Sequence, residues 1–284
     1  MKYQELYKYG VEQLETAGIA EAALDARLLL EHVCHTDRNT LLAYGDRVVA
    51  AEWERCYVNL IEERKAHIPL QHLTGEQEFM GLSFRVNEHV LIPRQDTEIL
   101  VEEAMRELHD GMELLDMCTG SGCILLSLLH YSNDCRGTGV DISPQALLTA
   151  RENAEALGIA ADFVQSDLFA QLDTDRKFDM LVSNPPYIPS DVIETLMPEV
   201  REHEPLTALN GGRDGLHFYR QISKGAKQYL NGGAWLFFEI GCDQAADVCG
   251  ILAADGYLEI EVVKDFAGLD RVVKCMFQNG GRNV

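Results

Sequence analysis

The sequence predicts an α/β fold: a mainly parallel sheet with helices on both faces, preceded by a small helical bundle and a β-hairpin linker. Three observations carry this. From Glu113 onward, short apolar runs alternate with helical patterns, the order that parallel strands and their crossovers require. Residues 1–75 show helical periodicity alone. Between the two, Leu82, Phe84 and Val86 alternate with Ser83 and Arg85 at strand period. The expected organisation is therefore a helical docking domain over 1–75, a hairpin linker over 76–93 and a catalytic domain over 94–284.

Taken in order, Tyr3, Leu6, Tyr7, Val11 and Leu14 mark one helix face. Ala26, Leu29, Leu30 and Val33 mark a second, and Trp53, Tyr57, Leu60 and Ile61 a third. Gly18 and Gly45 fall between these segments, where breakers belong. Asn87-Glu88 reads as the turn of the hairpin, with Val90-Leu91-Ile92 as its return strand and Pro93 as its end. Asp96 or Thr97 is placed to cap a helix whose apolar face holds Leu100, Val101, Ala104, Met105 and Leu108. Strands are expected at Leu114–Met117, Gly137–Val140, Asp162–Gln165, Phe178–Val182 and Ala234–Ile240. Helices are expected at Cys123–Tyr131, Pro144–Leu157, Gly215–Leu230 and Gln244–Ala254. Tyr257–Val263 and Arg271–Phe277 have no helix between them and should pair antiparallel.

Composition narrows the function classes. The formal charge is −22 and the pI is near 4.7, which disfavours a phosphate backbone as main partner. The eight cysteines are scattered, with neither a C-x-x-C pair nor zinc spacing, and are expected reduced. No run approaches the roughly 20 apolar residues of a membrane helix, and Met1–Glu5 opens no apolar signal region. A cytoplasmic monomer without bound metal is expected.

The stretch Leu181 to Ile188 carries the chemistry. An apolar run ends in Ser183-Asn184-Pro185-Pro186-Tyr187, where two prolines stop the strand. The side-chain carbonyl of Asn184 and the backbone carbonyl of Pro185 are two neighbouring acceptors, suited to the two protons of a planar NH2 group. Pro186 stiffens the turn, and Tyr187 can pack flat against that group. A capping Asn in an ordinary Pro-Pro turn is the plainer reading.

Earlier strand ends supply a cofactor side. Cys118-Thr119-Gly120-Ser121-Gly122 follows the first sheet strand and opens a helix. A G-x-G-x-x-G dinucleotide pattern would need glycine at 118, 120 and 123, and only Gly120 complies. Asp141 ends the second strand, where an acid accepts from ribose hydroxyls. Asp167-Leu168 ends the third, an acid beside an apolar chain that suits an adenine. Each acid alone reads as a helix cap or loop residue. In this order, ahead of the Asn184 turn, they point to S-adenosylmethionine, with Asn184 shared between cofactor and substrate.

The chain resembles class I, Rossmann-like methyltransferases of the HemK/PrmC family, the peptide chain release factor glutamine methyltransferases. The resemblance rests on Gly75-Glu76 with Phe79, Leu91 to Glu98, Asp116 to Gly122, Asp141, Ser166-Asp167, Asn184 to Ile188, Glu204-Pro205 and Gly211 to Leu216. It implies a seven-stranded sheet and an N-terminal domain that grips the substrate. It also implies methyl transfer to the side-chain amide nitrogen of the glutamine in a Gly-Gly-Gln loop of release factors, in translation termination, leaving S-adenosylhomocysteine. Cys118 stands where the family loop has its first glycine. Arg94 and Glu98 are expected to order the domain junction, and Glu239 is a candidate acid without an assigned role. The rival readings are a ribosomal-protein glutamine methyltransferase, an N6-adenine methyltransferase of nucleic acid, and a cofactor-binding interaction module without catalysis.

Overall fold

A computed structural model describes residues 1–278; the last positions of the expected 94–284 segment, 279–284, lie outside the described residues. The chain divides into two compact units, one of Met1–Glu76 with Met197–His203, the other of Gln77–Leu196 with the chain from Glu204 onward.

The first unit is helical: α1 (Tyr3–Thr16), α2 (Ala22–Cys34), α3 (Arg38–Ala43), α4 (Ala51–Lys65) and α5 (Leu70–Thr74). The three longer helices bury the faces their periodicity marks, with Leu6, Leu14, Leu29, Leu30, Tyr57 and Ile61 fully enclosed. Gly10 lets α1 approach α4 closely, since a Cβ there would meet the Tyr57 hydroxyl at 2.0 Å. α3 and α5 bury none of their residues, so apolar periodicity could not announce them. Arg64 is the polar centre of this unit. Its guanidinium reaches Asp25 of α2 at 2.8 Å, Glu199 at 2.5 Å and the Ile68 carbonyl at 3.3 Å.

The second unit opens with a hairpin of β1 (Glu76–Phe79) and β2 (Leu82–Arg85). Its turn is Met80-Gly81, both left-handed, with φ of 51° and 71°. Two positive-φ residues match the twist of paired strands, so this turn closes the hairpin. Val90-Leu91-Ile92 is therefore not a return strand. Asn87 makes a turn of its own, accepting from the amides of His89 and Val90.

After it come α6 (Gln95–Glu107), β3 (Glu113–Met117), α7 (Cys123–His130), β4 (Arg136–Asp141), α8 (Pro144–Leu157), β5 (Asp162–Gln165) and β6 (Phe178–Ser183). With Pro198–His203 as α9, there follow α10 (Leu206–Leu209), α11 (His217–Ala226), β7 (Leu230–Glu239), α12 (Ala245–Ala254), β8 (Leu258–Lys264) and β9 (Asp270–Phe277). α8 has complete end signals: the Ser143 hydroxyl accepts from Ala146, Pro144 opens the helix and Gly158 ends it left-handed. α6 differs from expectation. Arg94 holds the cap position without a side-chain bond, and Asp96 and Thr97 lie inside the first turn. α11 ends a turn short of the expected Leu230, which instead begins β7.

The seven strands run in the order β5-β4-β3-β6-β7-β9-β8. All neighbours through β7 are parallel, and β9 pairs antiparallel with both β7 and β8. Adjacent residues serve opposite faces. Leu115, Leu181, Leu236 and Phe238 pack with Tyr219, Ile222, Val248 and Leu252 of α11 and α12. Leu114, Met180, Val182 and Phe237 pack with α6, α7 and the hairpin residues Phe79 and Phe84. The strand order reverses at β3, so a crevice opens beyond the carboxyl ends of β3, β4 and β6.

Candidate active site

The crevice holds a cavity of about 550 Å³, within the range of roughly 300–1,000 Å³ that takes small ligands. Its floor is the loop after β3. Cys118, Gly120 and Gly122 are all left-handed there, with φ of 64°, 56° and 80°. That conformation explains why glycine suits position 118; the cysteine is tolerated because surrounding bonds fix the loop. Thr119 donates its amide to Val140 at 2.9 Å and its hydroxyl to Asp116 at 2.5 Å. Ser183 donates to the Met117 carbonyl at 2.6 Å, and Asn153 to the Ser121 carbonyl at 2.9 Å.

Asp141 organises the next wall. One carboxylate oxygen accepts from the Gly120 amide and the other from Ser143, both at 2.9 Å. Burial raises its pKa against the pull of these backbone donors. Each oxygen keeps acceptor capacity for a further hydroxyl. Asp167 is exposed and Leu168 buried, the latter at φ 48°. Burial also pushes the Asp116 carboxyl up to about 7, and leaves its Oδ1 without a hydrogen-bond partner among the described residues. The Cys118 thiol is raised well above its ordinary value by burial and by Asp141 and Asp116, which keeps it neutral.

Cys118, Thr119, Gly120, Ser121, Asp141, Asp167, Leu168, Asn184 and Pro186 all line this cavity. Gly122, Pro185 and Tyr187 are not lining residues. Gly122 instead forms the left-handed start of α7. The Tyr187 hydroxyl turns to Glu239 at 3.3 Å, and burial with the Glu239 charge raises its pKa. Asn184 donates its amide nitrogen to the Thr97 hydroxyl oxygen at 3.4 Å. Its carbonyl oxygen is therefore the acceptor available on the cavity side.

Three groups of wall residues have no part in ligand binding in the sequence reading: Val90, Leu91 and Pro93; Thr97; and several residues between Pro205 and Gln221. The last is a buttress. Ile188 and Gly211 bond across the turn, with Ile188 donating to Leu209 at 3.0 Å and Gly211 to Ile188 at 2.9 Å. A Cβ on Gly211 would lie 2.7 Å from Tyr187 Cα and 2.8 Å from the Pro186 carbonyl oxygen. One on Gly215, at φ 71°, would lie 2.3 Å from the Tyr187 carbonyl oxygen. Arg94 pairs with the buried Glu204, and Glu98 accepts the Met80 amide at 2.7 Å, so both sequence-flagged charges work inside the second unit.

The wall fits an adenosyl ligand without phosphates. It offers acids for hydroxyl and amino groups and a loop glycine whose missing Cβ faces open space. Neither lysine nor arginine lines it among the described residues, so phosphates would find no counter-charge.

Residues 5–75 match the PrmC N-terminal domain and residues 95–199 the methyltransferase small domain. A release factor glutamine methyltransferase of Geobacter sulfurreducens is 42% identical over 92% of this chain and 91% of its own. The chain belongs to the release factor glutamine methyltransferase family. A second member, from Fusobacterium nucleatum, is 41% identical over 95% of this chain and 77% of its own. A methyltransferase of Pyrococcus furiosus, 16% identical, superposes with a TM-score of 0.55 over 70% of this chain and 90% of its own. The latter likeness shows the fold, a class I methyltransferase sheet. The segment from Gly211 to Gly215 has a structural role here: it packs on the backbone of Pro186 and Tyr187, and Arg94 ties to the chain just before it through Glu204.

Proposed function

We propose that this protein methylates the side-chain amide nitrogen of the glutamine in the Gly-Gly-Gln loop of peptide chain release factors, using S-adenosylmethionine. The observation that carries the reading is the fixed amide of Asn184 at the cavity wall, nitrogen on Thr97 and oxygen free for a donor. S-Adenosylmethionine, when bound, supplies an electrophilic methyl group and leaves as S-adenosylhomocysteine. Asp141 and Asp167 are the acceptors for its ribose and adenine, Gly120 gives close backbone approach, and Leu168 covers the ring. Cys118, Thr119, Ser121 and Gly122 shape the same loop.

Asn184 Oδ1, on the cavity wall, holds one proton of the substrate amide, and the Pro185 carbonyl, next in the chain though not a lining group, is the proposed acceptor for the second. An amide nitrogen is a weak nucleophile because its lone pair is delocalised, so orientation supplies much of the acceleration. As positive charge develops on that nitrogen, both acceptors bind it more strongly, which favours the transition state over the ground state. The nitrogen then sheds one proton to restore the planar amide. Pro186 and Tyr187 keep the turn rigid.

The charge of −22 and a wall without lysine or arginine among the described residues disfavour a nucleic acid as substrate. No helix among the described residues is long and apolar enough to cross a membrane. The reading places a monomeric enzyme in the cytoplasm, its helical unit helping to hold the release factor, with no metal in the chemistry. The test is transfer of labelled methyl to a purified release factor, its target glutamine substituted in parallel, with Asn184→Ala as enzyme control. Label on the unsubstituted factor alone, abolished by Asn184→Ala, is expected. Label appearing on ribosomal protein or DNA in its place would overturn the substrate.

A further inference from the structure

We propose that Glu239 is the positioning residue that holds the Asn184 side chain with its oxygen toward the cavity, acting through the Thr97 hydroxyl. The inference rests on the glutamine-methylating reading above.

The register of the sheet puts the two residues side by side. Ser183, the last residue of β6, pairs with Phe238, so Asn184 just past that strand and Glu239 at the end of β7 follow the pair on neighbouring parallel chains. Glu239 is 2% exposed. Oε1 accepts from Tyr187 at 3.3 Å, and Oε2 is a buried acceptor without a hydrogen-bond partner among the described residues. The Thr97 hydroxyl is nevertheless a group that stabilises the ionised carboxylate, and it is itself buried. Its oxygen already accepts from Asn184, which leaves its rotatable hydrogen to turn toward Glu239.

Direction matters in this chain of bonds. With Glu239 ionised, Thr97 must donate to it, and the Thr97 oxygen must therefore accept from the Asn184 nitrogen. Asn184 then presents an acceptor to the substrate NH2. With Glu239 protonated or replaced by an amide, the carboxyl side can donate to Thr97. Thr97 then donates onward, the Asn184 amide turns over, and two NH2 groups face each other across the site. A buried polar chain of this kind switches as a unit.

The surroundings set where the switch lies. Burial pushes the Glu239 carboxyl up to about 7. Asp96 of α6 raises it, while Arg271 of β9, Thr97 and Tyr187 lower it. The other titratable neighbours, Cys123 of α7 and Tyr219 of α11, are themselves shifted upward by burial and stay neutral. The rate should fall as pH drops through neutrality.

The test uses the full chain with a purified release factor. Glu239→Gln and Thr97→Val should each lower kcat by about 100-fold, the scale of a misplaced reacting group. S-Adenosylmethionine affinity and the thermal midpoint should not fall, and Glu239→Gln should lose the acid limb of the rate profile. The double variant should be no slower than the slower single variant. A Glu239→Gln enzyme with wild-type kcat and an intact acid limb would overturn the inference, as would two losses that multiply. A wild-type enzyme that leaves the glutamine unlabelled would instead overturn the reading beneath it.

Discussion

Asp141 shows how much one side chain can hold. Its two oxygens take the amides of Gly120 and Ser143, tying the loop after β3 to the start of α8. An amide in its place has a single acceptor oxygen, so one of these links is lost and no anion remains for a ribose hydroxyl. Hydrogen bonds to charged groups contribute about 1.5–3 kcal/mol each. Asp141→Asn should therefore weaken S-adenosylmethionine binding by about 10- to 100-fold, measured by calorimetric titration, with the fold intact by circular dichroism. Unchanged affinity would mean the acid serves the loop alone. At this scale the sequence was informative where a residue sits at a strand end. Asp141, Asp167 and Asn184 could be placed because apolar runs announce strands and the ends of parallel strands bind ligands. Asp96 or Thr97 reads as a helix cap, since a threonine before an apolar face looks the same whether it caps or points into a site. Its pairing with Asn184 spans 87 positions, and nothing local encodes it. Cys118 could be compared with a glycine only by resemblance; its φ of 64° supplies the physical reason.

Elements explain what motifs left open. The segment Glu204 to Leu216 could be quoted from the sequence but not understood, because its work is done against a turn some 25 positions earlier. The structure shows Gly211 pressed on the backbone of Pro186 and Tyr187, and backbone atoms cannot move aside as a flexible side chain can. Gly211→Ala should displace the Asn184 turn and cut kcat by about 100-fold, with a much smaller effect on cofactor affinity. Equal losses in both would place the damage in the fold. The helical unit offers a separate case. Arg64 and Asp25 are 5% and 7% exposed, and burial raises the Asp25 pKa even with its partner present. Removing one member of a buried pair costs about 3–5 kcal/mol, because the other charge is left behind. Arg64→Ala should lower the thermal midpoint of the full chain, and Asp25→Asn with Arg64→Met should recover most of it. A double variant as unstable as Arg64→Ala would show that Glu199 and the Ile68 carbonyl are the partners that matter. The three long helices of this unit were legible from their apolar faces. α3, α5 and the return of Pro198–His203 were not, being too short and too polar for a period to appear. The hairpin turn is hidden for a related reason: Met80 gives no turn signal in the sequence, and Asn87-Glu88 gives a stronger one than the true turn at Met80-Gly81.

Over the whole molecule, the buried acids set a pH dependence that opposes activity. Asp116 and Glu239 are both pushed up to about 7 by burial, from ordinary values of 3.8 and 4.5. A folded pKa above the unfolded one means that folding favours the protonated form. The associated stability is present in acid and is lost as pH rises through about 7. At pH 8 each ionised group then costs on the order of 3 kcal/mol relative to its unfolded state. The net charge of −22 adds self-repulsion in the same direction. The cofactor-free protein should melt several degrees higher at pH 6 than at pH 8, by scanning calorimetry. Asp116→Asn should raise the midpoint at pH 8 and flatten the difference. A midpoint that climbs from pH 6 to pH 8 would mean that neither acid is held neutral by burial. The methyl-transfer rate is expected to move the other way, rising as Glu239 ionises. Glu239 thus destabilises the folded chain under the conditions in which it orients Asn184. If both curves are measured on one preparation, the rate should rise over the pH range in which the midpoint falls. Glu239→Gln should shift both at once, giving a more stable and slower enzyme.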